Sequence, residues 1–558
     1  MRKSLLLSPL LVACLLPPSC QQQPTTVLIE NINLKRGELI GCGPGEQLGD
    51  VSFSIGGSEK VKNDFNLAVK LLHSFEYDEA EKVFARIIDE QPDCAMAWWG
   101  VAMSNFHPLW APPTGDELKK GAQAIGIARS IDTKTEKEAG YIEAIGAFYD
   151  HHATVPHRTR SAAFEKAMEK LYKKYPSDKE AAIFYALALN AAADPTDKTY
   201  FRQKKAGTIL NALYPEGPDH PGIVHYIIHT YDYPELAEQA LPAARQYAFV
   251  APASAHALHM PSHIFTRLGL WDECIQSNQA SVRSAQCYAQ AAGIKGHWDE
   301  ELHGLDYLTY SYLQKGDMDS ARIQWDYLKT IREVHPANFK VAYAFAAIPA
   351  RYVLENKLWK EAAALTLDTA NIDWQQFPWQ ESIYHFARLM GAVHTNNKLL
   401  AEVELKELKK RHNTLLVKKD EYQATQVAIQ IKTGEAWMAL LEGNQHIALA
   451  QMREAAELES RTEKHPVTPG EVIPAMELLG DMLARLKKWE EALVAYEADL
   501  KTHPNRLNGL YGAAVAAERL GDFTKARRYY GKIVEIGRDG SGRAEMGRAR
   551  LFSRKGRD

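Results

Sequence analysis

A spacing, more than any single motif, limits what this chain can fold into. In "FEYDEAEKVFARIIDEQP", "KKWEEALVAYEADLKTHP" and "GDFTKARRYYGKIVEIG" an aromatic residue (Tyr77, Trp489, Phe523) stands three before an alanine (Ala80, Ala492, Ala526). A second aromatic (Phe84, Tyr496, Tyr530) stands four after it. Steps of three and four put all three side chains on one helix face. The alanine lets that helix approach a partner closely, and a proline such as Pro92 ends it before the next unit.

The small position recurs at Cys274 in "LGLWDECIQSNQA", Ala321 in "KGDMDSARIQW", Ala362 in "NKLWKEAAAL", Ala401 in "NNKLLAEVEL" and Ala448 in "EGNQHIALAQM", and Ala492 and Ala526 are 34 residues apart. This resembles the tetratricopeptide (TPR) pattern. The resemblance implies an all-α solenoid, a right-handed superhelix of about ten antiparallel helix pairs with a concave groove. At 558 residues the chain is too long for one ordinary core, which a repeat array accommodates. Four segments are expected: 1–20 an export signal, 21–60 a non-repeat lead-in, 61–395 an array carrying a histidine-lined groove, and 396–558 a C-terminal TPR array. The lead-in is expected to be strand-rich or an extended tether.

The N-terminus, "MRKSLLLSPLLVACLLPPSC", places Arg2 and Lys3 before an apolar run from Leu5 to Leu16 and a small residue, Ser19, before Cys20. That order is a secretory signal, too short to span a bilayer. Cys20 resembles the acylated cysteine of bacterial lipoproteins. The resemblance implies lipidation there and a lipid-anchored protein of the bacterial cell envelope facing the periplasm; Pro17 and Pro18 depart from the usual lipobox, and the alternative is a soluble periplasmic protein. Cys42, Cys94, Cys274 and Cys287 show no CxxC spacing, and their pairing stays open. The net charge is -4, with both signs mixed along the chain, so no basic stripe exists to hold nucleic acid.

Two proline-rich stretches interrupt the helical rhythm, "FHPLWAPPTGDE" and "RTEKHPVTPGEVIPAM". Loops on a rigid scaffold are where binding groups sit, so His107, Trp110 and His465 are groove-binding candidates.

The segment from His225 to Phe265 carries the remaining chemistry. His225 and His229 stand 15 and 11 residues before the small residue Ala240, and His259 and His263 stand 15 and 11 before Cys274. The same places before Ala321 hold Asp306 and Tyr310, with His303 three residues before Asp306. In TPR proteins such places on the first helices face the groove, so the resemblance implies that these side chains point inward together. Three readings fit. Paired imidazoles with a carboxylate suit zinc or another first-row transition metal, the candidate ligands being His225, His229, His259, His263 and Asp306. A groove for a protein, peptide or anionic ligand would use histidines, including His303, with Tyr226, Tyr231, Tyr310 and Arg267 supplying hydrogen bonds and stacking. Buried histidines satisfied by hydroxyls and carbonyls would do neither. Pro261 within "HMPSH" places a helix start between the members of the second pair.

The set "HPLW", "HYIIH" and "HMPSH" resembles a group of exported bacterial TPR proteins, and implies a shared groove but no reaction. HExxH, GxSxG, Walker and dinucleotide motifs are missing from the sequence. Glu300 and Glu301 are candidate bases only if a metal is bound. The sequence therefore points to a binding or scaffold protein acting through its groove, with a metalloprotein or metalloenzyme as the alternative.

Overall fold

The structure is a computed structural model that describes residues 32–45, 47–109, 112–367, 370–537 and 542–554. The small positions explain its architecture. Ala80, Ala240, Cys274, Ala321, Ala362, Ala401, Ala448, Ala492 and Ala526 are each 0% exposed, so a helix lies flush against every one of them. The units are helix hairpins such as Glu59–His73 with Tyr77–Glu90, Asp299–Gln314 with Met318–Leu328, and Leu507–Arg519 with Phe523–Ile536. Most helices pack chiefly on their near neighbours in the chain, which makes the all-α solenoid. The division expected at 395/396 falls in the turn between Pro378–His394 and Lys398–Val417, two helices that pack on each other. Three apolar cores draw on Asp299–Gln314: Tyr307 belongs to the first, Leu313 to the second, and Leu302, Leu305 and Leu308 to the third. No helix is long and apolar enough to cross a membrane among the described residues.

The described part of the lead-in, residues 32–45 and 47–58, forms no strand. Ile32, Leu34, Phe53 and Ile55 are buried in the first core, and a disulfide between Cys42 and Cys287 ties the segment to the Trp271–Ala291 helix. Cys94 and Cys274 are buried thiols.

The superhelix closes on itself. Trp271 donates its indole N–H to the Asn505 carbonyl at 2.9 Å, Asn505 donates to the Gly269 carbonyl at 3.2 Å, and Leu507–Arg519 packs on Asp299–Gln314. Arg506, fully buried, bridges Glu477 at 3.0 Å and Glu355 at 2.8 Å. The second proline-rich stretch turns into the interior. Tyr307 donates to the Val467 carbonyl at 3.2 Å, Arg351 to the Gly470 carbonyl at 2.8 Å, and Lys464 to Asp232 at 3.1 Å. The chain's own loop thus occupies much of the space expected to be an open groove.

Candidate metal centre

Helix geometry sets the first contacts. Pro221–Tyr231 is one continuous helix, and its i, i+4 pair His225 and His229 brings the two Nε2 atoms to 3.0 Å. The second pair is split by Pro261, as expected: Ala255–His259 ends, Met260 keeps right-handed helical angles, and Pro261–Leu268 begins. Because the backbone stays helical across the join, His259 and His263 still meet, Nε2 to Nε2, at 3.1 Å. Pro261 costs nothing there, since a helix start has no partner for its missing N–H.

The four histidines fall into two clusters. His256 joins His225 and His229, its Nε2 3.2 Å from that of His225. His303 joins His259 and His263, its ring 4.1 Å from that of His259, centroid to centroid. The result is two triads of imidazoles.

Three Nδ1 atoms show how the rings are aimed. His225 donates to the His73 carbonyl at 2.6 Å, His259 to the Asn278 side-chain oxygen at 2.7 Å, and His263 to Asp232 at 3.1 Å. Asn278 is itself oriented by its amide N–H on the Cys274 carbonyl, 2.8 Å away, which turns its oxygen toward His259. With Nδ1 of these three rings carrying the proton, their lone pairs lie on Nε2, and the Nε2 atoms of His225, His229 and His256, and those of His259 and His263, are the ones that meet. Burial holds the imidazoles neutral: it pushes His225 down to about 3 and His229, His256, His259 and His303 well below the usual range. His263 is lowered too, burial outweighing the pull of Asp232. Neutral nitrogens with lone pairs face to face repel unless a proton or a cation lies between them. A tetrahedral ion bound at about 2.0–2.1 Å would set its ligand nitrogens roughly 3.3 Å apart, close to the spacing seen. Ring N–H groups tied to carbonyl, amide and carboxylate oxygens are the support that metal-bound histidines use.

Asp232 anchors this support. Burial would raise its carboxyl, but Lys464 and Arg267 outweigh burial and hold it well below the usual range. Arg267 Nε lies 2.8 Å from its Oδ1. A third cluster of His73, Glu180 and His220 is a hydrogen-bonded hub: Glu180 accepts from His73 at 3.0 Å and from His220 at 2.8 Å, and the other ring nitrogen of His73 meets the Tyr226 hydroxyl at 2.9 Å. Both nitrogens of His73 are used, and its carbonyl holds His225.

Other sequence candidates lie elsewhere. Asp306 does not join the histidines: it is buried in an ion pair with Arg351, one unit further on. His107 pairs with Glu117 at 3.1 Å and packs on Tyr77. His465 stacks on Phe339, centroids 4.4 Å apart. Glu300 is paired with Lys340, and Glu301 accepts from His297 at 2.8 Å and Tyr327 at 2.7 Å, so neither candidate base stands unpaired. Tyr310 meets Arg506 at 3.1 Å. Trp110 and Cys20 lie outside the described residues. Sequence reading missed His256 as a member of the site, although it lies three residues before His259 as His303 lies three before Asp306.

Beside the first triad is a cavity of about 660 Å3. His229 lines it, with Arg267, Lys340, Lys464, Phe339 and His465 among the other walls.

Comparison with known proteins bears on the scaffold. Residues 509–536 match the tetratricopeptide repeat family model. This chain is an all-α TPR-type solenoid. No curated protein matches it. Solved structures similar to it include a human IFIT1 dimer with PPP-AAAA, at 12% identity, covering 85% of this chain and 90% of that one, with a TM-score of 0.33. The P58(IPK) TPR domain is 15% identical over 68% of this chain and 99% of its own, with a TM-score of 0.21. At such scores neither says anything of the site.

Proposed function

We propose that this chain is an exported metal-binding protein, in which a TPR-type solenoid holds one first-row transition-metal ion in each histidine triad. The observation that carries the reading is the convergence of Nε2 atoms at 3.0–3.2 Å while the opposite ring nitrogens are held by the His73 carbonyl, Asn278 and Asp232. An all-imidazole set favours copper or zinc over magnesium, calcium or manganese, which prefer oxygen ligands. Three protein ligands leave a coordination position open, the arrangement of reactive rather than purely structural metal sites. The Cys42–Cys287 disulfide agrees with an oxidising compartment, and hence with export and a lipid anchor at Cys20 in the cell envelope. Replacing Cys20 by Ser is expected to release the protein from the membrane fraction; unchanged membrane association would overturn the anchor.

The test of the metal reading is elemental analysis of untagged protein. His225→Ala and His259→Ala are each expected to remove one ion and leave the other. Wild-type protein that takes up nothing after exposure to zinc, copper, iron and manganese would overturn the reading.

A second reading is docking of a protein partner on the C-terminal units, where Leu399, Val417, Val494 and Phe523 are each more than half exposed.

A further inference from the structure

The two triads are the same construction, one repeat apart. The first takes His225 and His229, 15 and 11 residues before its small residue Ala240, and adds His256, 18 residues before the next small residue, Cys274. The second takes His259 and His263, 15 and 11 before Cys274, and adds His303, 18 before Ala321. The Ala255–His259 helix therefore serves both: His256 faces one triad and His259, three residues on, the other. The rings of His229 and His263, one from each triad, lie 6.3 Å apart. That gap is no wider than the span inside a triad, where His229 and His256 are 6.3 Å apart and His263 and His303 6.2 Å.

We propose that the two triads are halves of one dinuclear centre, in which two like ions share a small oxygen- or nitrogen-donor ligand that enters from the cavity beside His229. This rests on the metal-binding reading above and goes further, because separate tris-imidazole sites would satisfy that reading equally well.

Ligand count supplies the first argument. Each ion receives three imidazoles and needs at least one more donor. Asp232, which touches the second triad, is spent on the Nδ1 of His263, on Arg267 and on Lys464, so it supports the ring instead of bridging the metals. The Tyr307 hydroxyl, 3.4 and 3.5 Å from the ring nitrogens of His263, donates its proton to the Val467 carbonyl at 3.2 Å. The donor shared between the two ions is a small molecule or ion from outside.

Charge supplies the second argument. Two dications in one buried pocket repel strongly, and an anion held between them offsets that repulsion. Paired metal sites of this kind hold their ions about 3.5–4 Å apart and clamp one ligand between them.

Access supplies the third. His229 is the triad residue that lines the cavity of about 660 Å3, where Lys464, Arg267 and Lys340 stand together with Asp232, Asp420 and Glu463, a polar-walled space large enough for a small ligand. All three members of the second triad are buried.

The experiment loads full-length protein with two equivalents of copper(II) and adds azide as the probe ligand. Coupled ions are expected to give an integrated electron paramagnetic resonance intensity well below two spins per chain. Azide is expected to bind once per pair of ions with a new charge-transfer absorption. His303→Ala and His229→Gln, one in each triad, are both made, so that a folding failure in one leaves the other to be read. Either folded variant is expected to hold one copper with a full one-spin signal and to lose the azide band. Two coppers per chain with two full, magnetically isolated signals would overturn the dinuclear centre while leaving the metal-binding reading intact. Uptake of no copper would overturn both.

Discussion

Asp306 separates a ligand from a structural ion pair, and its replacement has a calculable cost. Arg351 is 0% exposed and Asp306 2%, so the pair is out of water on both sides. The guanidinium spends its other contacts on neutral oxygens, the Tyr343 hydroxyl at 3.2 Å and the Gly470 carbonyl at 2.8 Å, and its Nε has no hydrogen-bond partner. No second carboxylate bonds to it among the described residues, so only the field of Glu355 offsets the charge if Asp306 is lost. Removing one partner of a buried pair costs about 3–5 kcal/mol, because the survivor stays buried and uncompensated. Asp306→Asn keeps an acceptor for Nη1 and belongs near the lower bound, about 3 kcal/mol; Asp306→Ala belongs near the upper, about 5 kcal/mol. That is roughly a hundred- to several-thousand-fold in the folding equilibrium. The double change Asp306→Leu with Arg351→Met removes both charges and is expected to recover most of the loss. Guanidinium unfolding followed by circular dichroism reads the stability, and elemental analysis of the same samples reads the metal. A cost below about 1 kcal/mol would refute the buried-pair argument. Loss of metal from folded Asp306→Asn would show that Asp306 is a ligand and that the triads are drawn wrongly.

Two further outcomes test the surroundings of the centre. A Cβ at Gly222 would meet Nδ1 of His73 at 2.5 Å, so Gly222→Ala is expected to cost about 1–3 kcal/mol and to weaken metal binding at the first triad more than at the second, because the carbonyl of His73 aims His225; competition with a metal chelator reads the two affinities. His503 is held well above its ordinary 6.5 because Asp499 and Glu471 outweigh its burial, while Glu471 is pushed down from 4.5 to about 2 against its own burial by His503. The His503 contribution is complete below pH 6.5 and is lost as pH rises through its folded value; that of Glu471 is complete above pH 4.5 and is lost as pH falls toward 2. The stability gap between wild type and His503→Gln is therefore expected to be widest between those two values, and a gap that grows above pH 7 in denaturation midpoints would contradict the pairing.

Much of the fold was legible because one packing rule repeats. Ala401, in the least regular unit, is as completely buried as Ala526, in the segment that the family model matches. A small side chain against a close helix is a local constraint, and local constraints survive in sequence. The interior was not legible. The loop around Gly470 reaches Tyr343 and Arg351 more than a hundred residues away, and nothing in its own composition says that it folds inward instead of outward. The same holds for Cys42 and Cys287, where spacing left every pairing open until the lead-in was seen to lie along the Trp271–Ala291 helix.

The centre was half legible for a reason that also explains why it stops at two triads. Aligning the units by their small residues showed the 15 and 11 places, but suggested that like places meet like. They do not: neighbouring first helices are staggered by about one turn, so each pair meets the 18 place of the following unit, which is His256 and then His303. Extending the rule in both directions finds no third triad. On the N-terminal side the 18 place before Ala240 is Gly222, where any side chain would strike His73, and His73 is committed to Glu180 and Tyr226. On the C-terminal side the pair positions become Asp306 and Tyr310, and they meet Arg351 and Arg506 in place of imidazole. Hydrogen bonds to a carboxylate close one end of the series and guanidinium pairs close the other, so among the described residues the all-imidazole triads are confined to the units between Pro221 and Gln314, beside the cavity that His229 lines.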